Sequence, residues 1–268
     1  MVTKGAKVII VGAIDGSQLG TQLKQAKAAG ATVIAYDRML TNTDAVDFHV
    51  SFDSLKIGKL QGQALLDGLK SKKTTGPYNI ELFAGSPDDA NAKIFFEGAM
   101  SILKPKIDDG ALEVVSGQVQ YSQVVTLGWK PENAQKRTDT LLTASYSKVP
   151  LDGVLSPNDT IARTILTSVE GAGKPDPVIT GQDSDVESVK LIMAGKQYCT
   201  VDKDTATQVA AAMSMVDDPQ AGKVPATNGT SSSGIKQVPA KLLEPIVVTK
   251  ANAAKVYAKN ARLEPLTK

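Results

Sequence analysis

The 268-residue chain contains one cysteine, Cys199, and one histidine, His49. A single thiol excludes an internal disulfide and any metal site built on several thiolates, and a single imidazole leaves no histidine pair for zinc. The redox compartment is therefore undecided by cysteine usage, and no metal or cofactor is expected. One-sided charge is missing too: 30 basic and 28 acidic residues leave a net charge of +2. No block of like charge forms the footprint that nucleic acid or a membrane surface would attract, so nucleic acid is not expected as a partner. No window reaches the ~18 consecutive apolar residues of a membrane span. The start, "MVTKGAKVIIVGAIDGS", lacks a charged region followed by a long apolar stretch and a cleavage site, so a soluble chain with no address of its own is expected.

Recognisable catalytic motifs are also missing. The sequence has no G-x-S-x-G elbow, no G-x-x-x-x-G-K-[ST] loop and no G-x-G-x-x-G fingerprint, and nothing around His49 suggests a triad. Asp88 and Asp89 are neighbours, but adjacency alone does not place two carboxyls across a glycosidic bond. The reading is that the chain is not an enzyme.

What the sequence does have is rhythm. "KVIIVGA" (7–13), "TVIAYD" (32–37), "YNIELFAG" (78–85), "LEVVSGQ" (112–118), "LDGVLSPN" (151–158), "PVITGQD" (177–183) and "QYCTVDKD" (197–204) read as strands. Their apolar residues run consecutively, as in strands buried on both faces. Between them lie segments such as "IGKLQGQALLDGLK" and "TIARTILTSVEGAG", whose apolar residues return every three or four positions. Strand alternating with helix predicts an α/β fold with parallel sheets covered by helices. The rhythm breaks at about 44–54, strand-like and ending in an aspartate, and after 216, where Gly, Pro, Ser and Thr predict loop with short strands.

In open parallel sheets ligands bind beyond the carboxyl ends of the strands. Here several strands end alike: "VIAY" in Asp37 and Arg38, "IELFAGSP" in Asp88, Asp89, Asn91 and Lys93, "GVLSP" in Asn158 and Asp159, "VITGQ" in Asp183, and "YCTV" in Asp202, Lys203 and Asp204. Carboxylates and amide oxygens accept from hydroxyls, while guanidinium, ammonium and amide N–H groups donate to hydroxyl and ring oxygens. Trp129, the only indole, offers an apolar face for a sugar ring. Taken singly, each residue has an ordinary reading. Asp53, Asp88 and Asp159 suit helix caps, Asp37–Arg38 a surface pair, Lys203 a solvated side chain, and Trp129 a core anchor. Their joint position at one end of successive strands favours a polyhydroxylated ligand.

"VIIVGAIDGS", "VIAYDRML", "NIELFAGSPDDANAK", "LGWKPENAQKR", "GVLSPND", "VITGQDSDVESVKLIMAGKQYCTVDKDT" and "LLEPIVVTKAN" together resemble the periplasmic sugar-binding proteins of ABC importers. The similarity runs over essentially the whole chain and is greatest to the xylose-binding and multiple-sugar-binding group. It implies a type I periplasmic-binding-protein fold, two Rossmann-like lobes joined by a hinge that close over one monosaccharide such as xylose or glucose. It implies residues 1–77 and 205–240 in the N-terminal lobe and 78–204 and 241–268 in the C-terminal lobe. Carried over by motif, Asp37 and Arg38 bind ring hydroxyls and the ring oxygen, Asn91, Asn158, Asp183 and Lys203 complete the polar shell, and Trp129 stacks on the pyranose. Asp89 and Lys93 are weaker candidates, because "DANA" stands where close relatives carry "DNNA". The implied partners are the importer's membrane subunits or a membrane sensor, and the implied location is periplasmic or extracytoplasmic.

Members of this group begin with a further strand–helix–strand–helix segment, and this chain opens where that segment would be ending. The expectation is a truncated first lobe lacking two strands, with the signal peptide lost alongside them and "KVIIVGA" left as an edge open to self-association. The rival reading within the same fold is the ligand-binding core of a LacI-type regulator without its DNA-binding domain, since nothing before residue 7 supplies a helix-turn-helix.

Overall fold

A computed structural model describes residues 1–220 and 223–268. In chain order the elements are β1 (Val8–Val11), α1 (Gly20–Ala28), β2 (Thr32–Tyr36), β3 (Phe48–Phe52), α2 (Ser54–Lys72), β4 (Tyr78–Leu82), α3 (Ala92–Asp108), β5 (Leu112–Val114), α4 (Tyr121–Val124) and α5 (Pro131–Ala144). There follow β6 (Gly153–Leu155), α6 (Asp159–Gly171), β7 (Val178–Ile179), α7 (Val186–Ala194), β8 (Cys199–Asp202), α8 (Thr205–Gln220), β9 (Gly229–Ser232), β10 (Gln237–Leu243), β11 (Ile246–Thr249) and α9 (Ala253–Val256). They form two compact units: Met1–Ser54 with Asp88–Asn91 and Asp204–Pro245, and Leu55–Pro87 with Ala92–Lys203 and Ile246–Lys268.

The first unit is a five-stranded sheet in the order β1-β2-β3-β10-β9. β1, β2, β3 and β10 run parallel, and β9 closes the far edge antiparallel to β10. Consecutive apolar residues in β2 follow from burial on both faces: Val33 and Ala35 pack with Leu23, Ala26 and Leu40, whereas Ile34 packs with Val50, Ala212 and Met215. Among the described residues β1 pairs only with β2, and Ile10 and Ile14 are exposed.

The second unit holds a four-stranded parallel sheet, β5-β4-β6-β7, and the antiparallel pair β8–β11. Backbone bonds Tyr198 N to Ile179 O and Val201 N to Gly181 O set β8 beside the end of β7. α6 shows why these segments are helical. Asn158 caps its first turn by accepting the Ile161 N–H, and Ile161, Ala162, Ile165, Leu166 and Val169 line its buried side at helical spacing.

Helix α2, expected in the N-terminal lobe, belongs from Leu55 onward to the second unit. Its Leu65 and Leu69 lie in one core with Ile80, Leu82, Phe96 and Leu103. Gly58 makes that packing close: a Cβ there would stand 1.9 Å from the Phe95 carbonyl of α3, so α2 and α3 meet backbone to backbone. Residues 241–245, expected in the C-terminal lobe, stay with the first unit because β10 runs through Leu243 beside β3. The segment after 204 contains α8, which composition did not signal, and the Gly/Pro-rich stretch beyond it supplies β9 and the interior strand β10.

Candidate functional site

In the first unit, β2 delivers Asp37 and Arg38 to its carboxyl end. Asp37 leaves the strand with φ of 63°, left-handed backbone that Asp tolerates better than most residues, and its N–H donates to Val50 O at 2.9 Å. Arg38 Nε pairs with Asp89 Oδ2 at 2.9 Å, and its Nη1 donates to Ile14 O at 2.6 Å. Asp89 also accepts the Asn91 N–H at 2.9 Å, and Asn91 Nδ2 donates to Asp37 O at 3.3 Å. The structure thus joins Asp37, Arg38, Asp89 and Asn91 in one polar set. Lys93 is not part of it: it is exposed on α3, where Glu97 takes its ammonium one turn on.

In the second unit, Asp183 follows β7 with φ of 101°, donates its N–H to Val201 O at 3.0 Å, and is exposed. Its Oδ1 lies 2.8 Å from Lys203 Nζ, which stands 5.7 Å from the centre of the Phe95 ring. Asn158, at the end of β6, spends its side-chain oxygen on the α6 cap. Its NH2 remains a donor of the type a hydroxyl oxygen accepts. Trp129 is half-buried, also in left-handed backbone, and its six-membered ring lies against Gly85 at the end of the β4 strand segment. A Cβ on Gly85 would come within 2.2 Å of that ring, so this glycine is what admits the indole.

Asp159 is not the cap that its place before a helix suggested. Asn158 does the capping, and Asp159 is fully buried. Its Oδ2 accepts from the Asp185 N–H at 2.9 Å and the Thr200 hydroxyl at 3.0 Å, and its Oδ1 accepts from Gln197 Nε2 at 2.9 Å. Burial, with Asp183 nearby, pushes its pKa up to about 8. No group of three His, Cys, Asp or Glu residues suited to a metal occurs among the described residues.

The periplasmic binding protein domain profile matches residues 1–223. The multiple sugar-binding periplasmic receptor ChvE of Rhizobium radiobacter is 47% identical over 263 residues, covering 96% of this chain and 74% of that protein. The chain belongs to the periplasmic binding protein family. The D-xylose-binding periplasmic protein of Escherichia coli K12 is 37% identical over 94% of this chain and 72% of its own length. A solute-binding protein of an ABC transporter from Clostridium phytofermentans, solved with bound β-D-glucose, superposes with a TM-score of 0.92 at 37% identity. That match covers 100% of this chain and 84% of the other. The α/β architecture is accordingly that of a type I periplasmic binding protein.

Sequence reasoning on this binding protein missed the polar residues beneath the strand ends. Gln61 is one: it is buried on α2 and donates to Ser156 O and Gly181 O at 3.1 and 3.2 Å, tying the ends of β6 and β7 together. Its signal was present, since Gln61 sits four residues from Ile57 and four from Leu65 on the apolar stripe of the helix. Buried His49 had no comparable signal, because its partners Asp37 and Ser231 lie on other segments of the chain.

Proposed function

We propose that this protein is an extracytoplasmic solute-binding protein that captures one monosaccharide, an aldose of the xylose or glucose type. Asp37, Arg38 and Asn91 in the first unit, and Trp129, Asn158, Asp183 and Lys203 in the second, are the assigned ligand residues. Asp89 serves by orienting Arg38. The observation that carries this reading is a pair of like arrangements at strand ends, Asp37 beside the Arg38–Asp89 ion pair and Asp183 beside Lys203. In each, a carboxylate suited to accept from hydroxyls stands next to a cation suited to donate to their oxygens. The names of the relatives support the class of ligand: a multiple sugar-binding receptor, a xylose-binding protein, and a solute-binding protein holding glucose. They favour this function over that of a sugar-responsive regulator core.

The captured sugar passes to the membrane subunits of an ABC importer or to a membrane sensor, and the work is binding without chemistry. The protein acts in the periplasm or its extracytoplasmic equivalent. Self-association through the outer edge of β1, where Ile10 and Ile14 are exposed, belongs to the same proposal and is read from the mass in solution. Isothermal titration against xylose, glucose, galactose, arabinose and ribose tests the ligand class. Saturable binding of one or more aldoses supports it, and a folded protein that takes up none of the five contradicts it.

A further inference from the structure

The chain's only histidine is buried at the second position of β3, and the proposed function does not use it. Its ring is held at both nitrogens: Nε2 is 3.0 Å from Asp37 O, and Nδ1 is 2.8 Å from the Ser231 hydroxyl on β9. A carbonyl oxygen can only accept, so the proton sits on Nε2, and Nδ1 is left to accept from Ser231. Asp37 is where the chain abandons the strand. Its N–H still bonds Val50 O as a strand residue's would, while its left-handed φ turns away the carbonyl that would otherwise extend the β2–β3 ladder. That carbonyl accepts from His49 Nε2, with Asn91 Nδ2 as a longer second donor at 3.3 Å.

We infer that His49 is the positioning residue for Asp37: its Nε2–H fixes the reversed carbonyl and so aims the Asp37 carboxylate at the ligand, with Ser231 donating to the bare Nδ1. The inference rests on the sugar-binding reading of Asp37. Left-handed backbone at a non-glycine residue persists only where its surroundings hold it. His49 supplies the shorter of the two side-chain hydrogen bonds to that carbonyl, and it does so from a rigid central strand. Burial keeps the imidazole below its ordinary pKa, which suits a neutral donor.

The test compares two replacements. His49→Gln keeps an N–H donor in a smaller, polar side chain, whereas His49→Phe keeps the ring volume and removes the donor. A positioning role predicts that the Gln variant binds sugar within about threefold of wild type and that the Phe variant loses about tenfold or more. A space-filling role predicts the reverse order, and that result overturns the inference. Nitrogen NMR of the wild type gives a readout independent of variant folding. With one histidine in the chain, the imidazole signals are unambiguous, and they must report the neutral Nε2–H tautomer with a shift on sugar addition. An Nδ1–H tautomer, or signals unmoved by a bound sugar, overturns it. Should wild type bind sugar while Asp37→Ala binds equally well, the reading of Asp37 falls and takes this inference with it. Loss of binding in Asp37→Ala with undiminished binding in His49→Phe removes the inference alone.

Discussion

The end of β2 and the end of β7 solve one problem by opposite means. Each presents an aspartate, Asp37 or Asp183, in left-handed backbone just past a parallel strand, and each secures it from beneath with a buried polar side chain. Under Asp37 the support is a donor, neutral His49, which meets a backbone carbonyl. Under the Asp183 loop it is an acceptor, Asp159, which meets the Asp185 N–H and the Thr200 hydroxyl, while Thr200 Oγ1 in turn accepts the Ser184 N–H at 3.1 Å. The charged neighbours differ as well. Asp89 is buried against Arg38, whereas Asp183 is itself exposed beside Lys203. The contrast teaches that what recurs is the turned-back aspartate, and that its support can be of either polarity.

The predictions probe this contrast, beginning with the largest effect. Asp37→Ala is expected to weaken sugar binding by about a hundredfold or more, since the side chain proposed to accept from the sugar's hydroxyls is lost. The stability of the apo protein should change by about 1–2 kcal/mol, the cost of alanine in left-handed backbone. Titration calorimetry with a melting curve checks both. Lys203→Met should weaken binding by about tenfold, less than Asp37→Ala, because Lys203 is partly exposed. Equal affinity would return Lys203 to the surface. Gly85→Ala forces the Trp129 ring to move, so a change in intrinsic fluorescence and a few-fold loss of affinity are expected. All indole emission comes from this one residue, and unchanged spectra with unchanged affinity would detach it from the site.

The most diagnostic effect lies in the pH dependence of stability. His49 titrates below its ordinary 6.5 in the folded chain, because burial opposes its charged form more than Asp37 favours it. The unfolded chain then binds the extra proton first, and stability falls as pH drops below about 6.5. Asp159 is shifted the other way, from 3.8 to about 8, by burial first and Asp183 second. Its contribution is fully present below the unfolded value and is lost as pH rises through about 8. Chemical denaturation should therefore show a limb that falls with rising pH between about 4 and 8, which Asp159→Asn flattens, and an opposing limb that rises up to about 6.5, which His49→Gln flattens. A variant that flattens the wrong limb would break the comparison.

The alternation of apolar runs and helical stripes made the parallel sheets legible, whereas strand-end position drew attention to a wider set that also held Asp88, Lys93, Asp202 and Asp204, from which only the family resemblance picked out the proposed ligand residues. Interior strand β10 was harder, since "QVPAKLL" carries Pro239 and owes its place to β3, nearly two hundred residues earlier. Lobe membership of α2 was not legible, because a helix between two sheets can pack on either and its glycine contact with α3 decides the matter. Asp159 misled for a related reason. Both Asn158 and Asp159 suit a cap, and only the buried donors Gln197 and Thr200 show which of them turns inward.

The central claim is that both turned-back aspartates are ligand residues, as proposed. Its most direct test is calorimetric titration of wild type, Asp37→Ala and Asp183→Ala with the sugar that wild type prefers. The account predicts one saturable site per chain in wild type, lost or weakened by about tenfold or more in each variant alone. Wild-type binding that survives intact in either variant would contradict it.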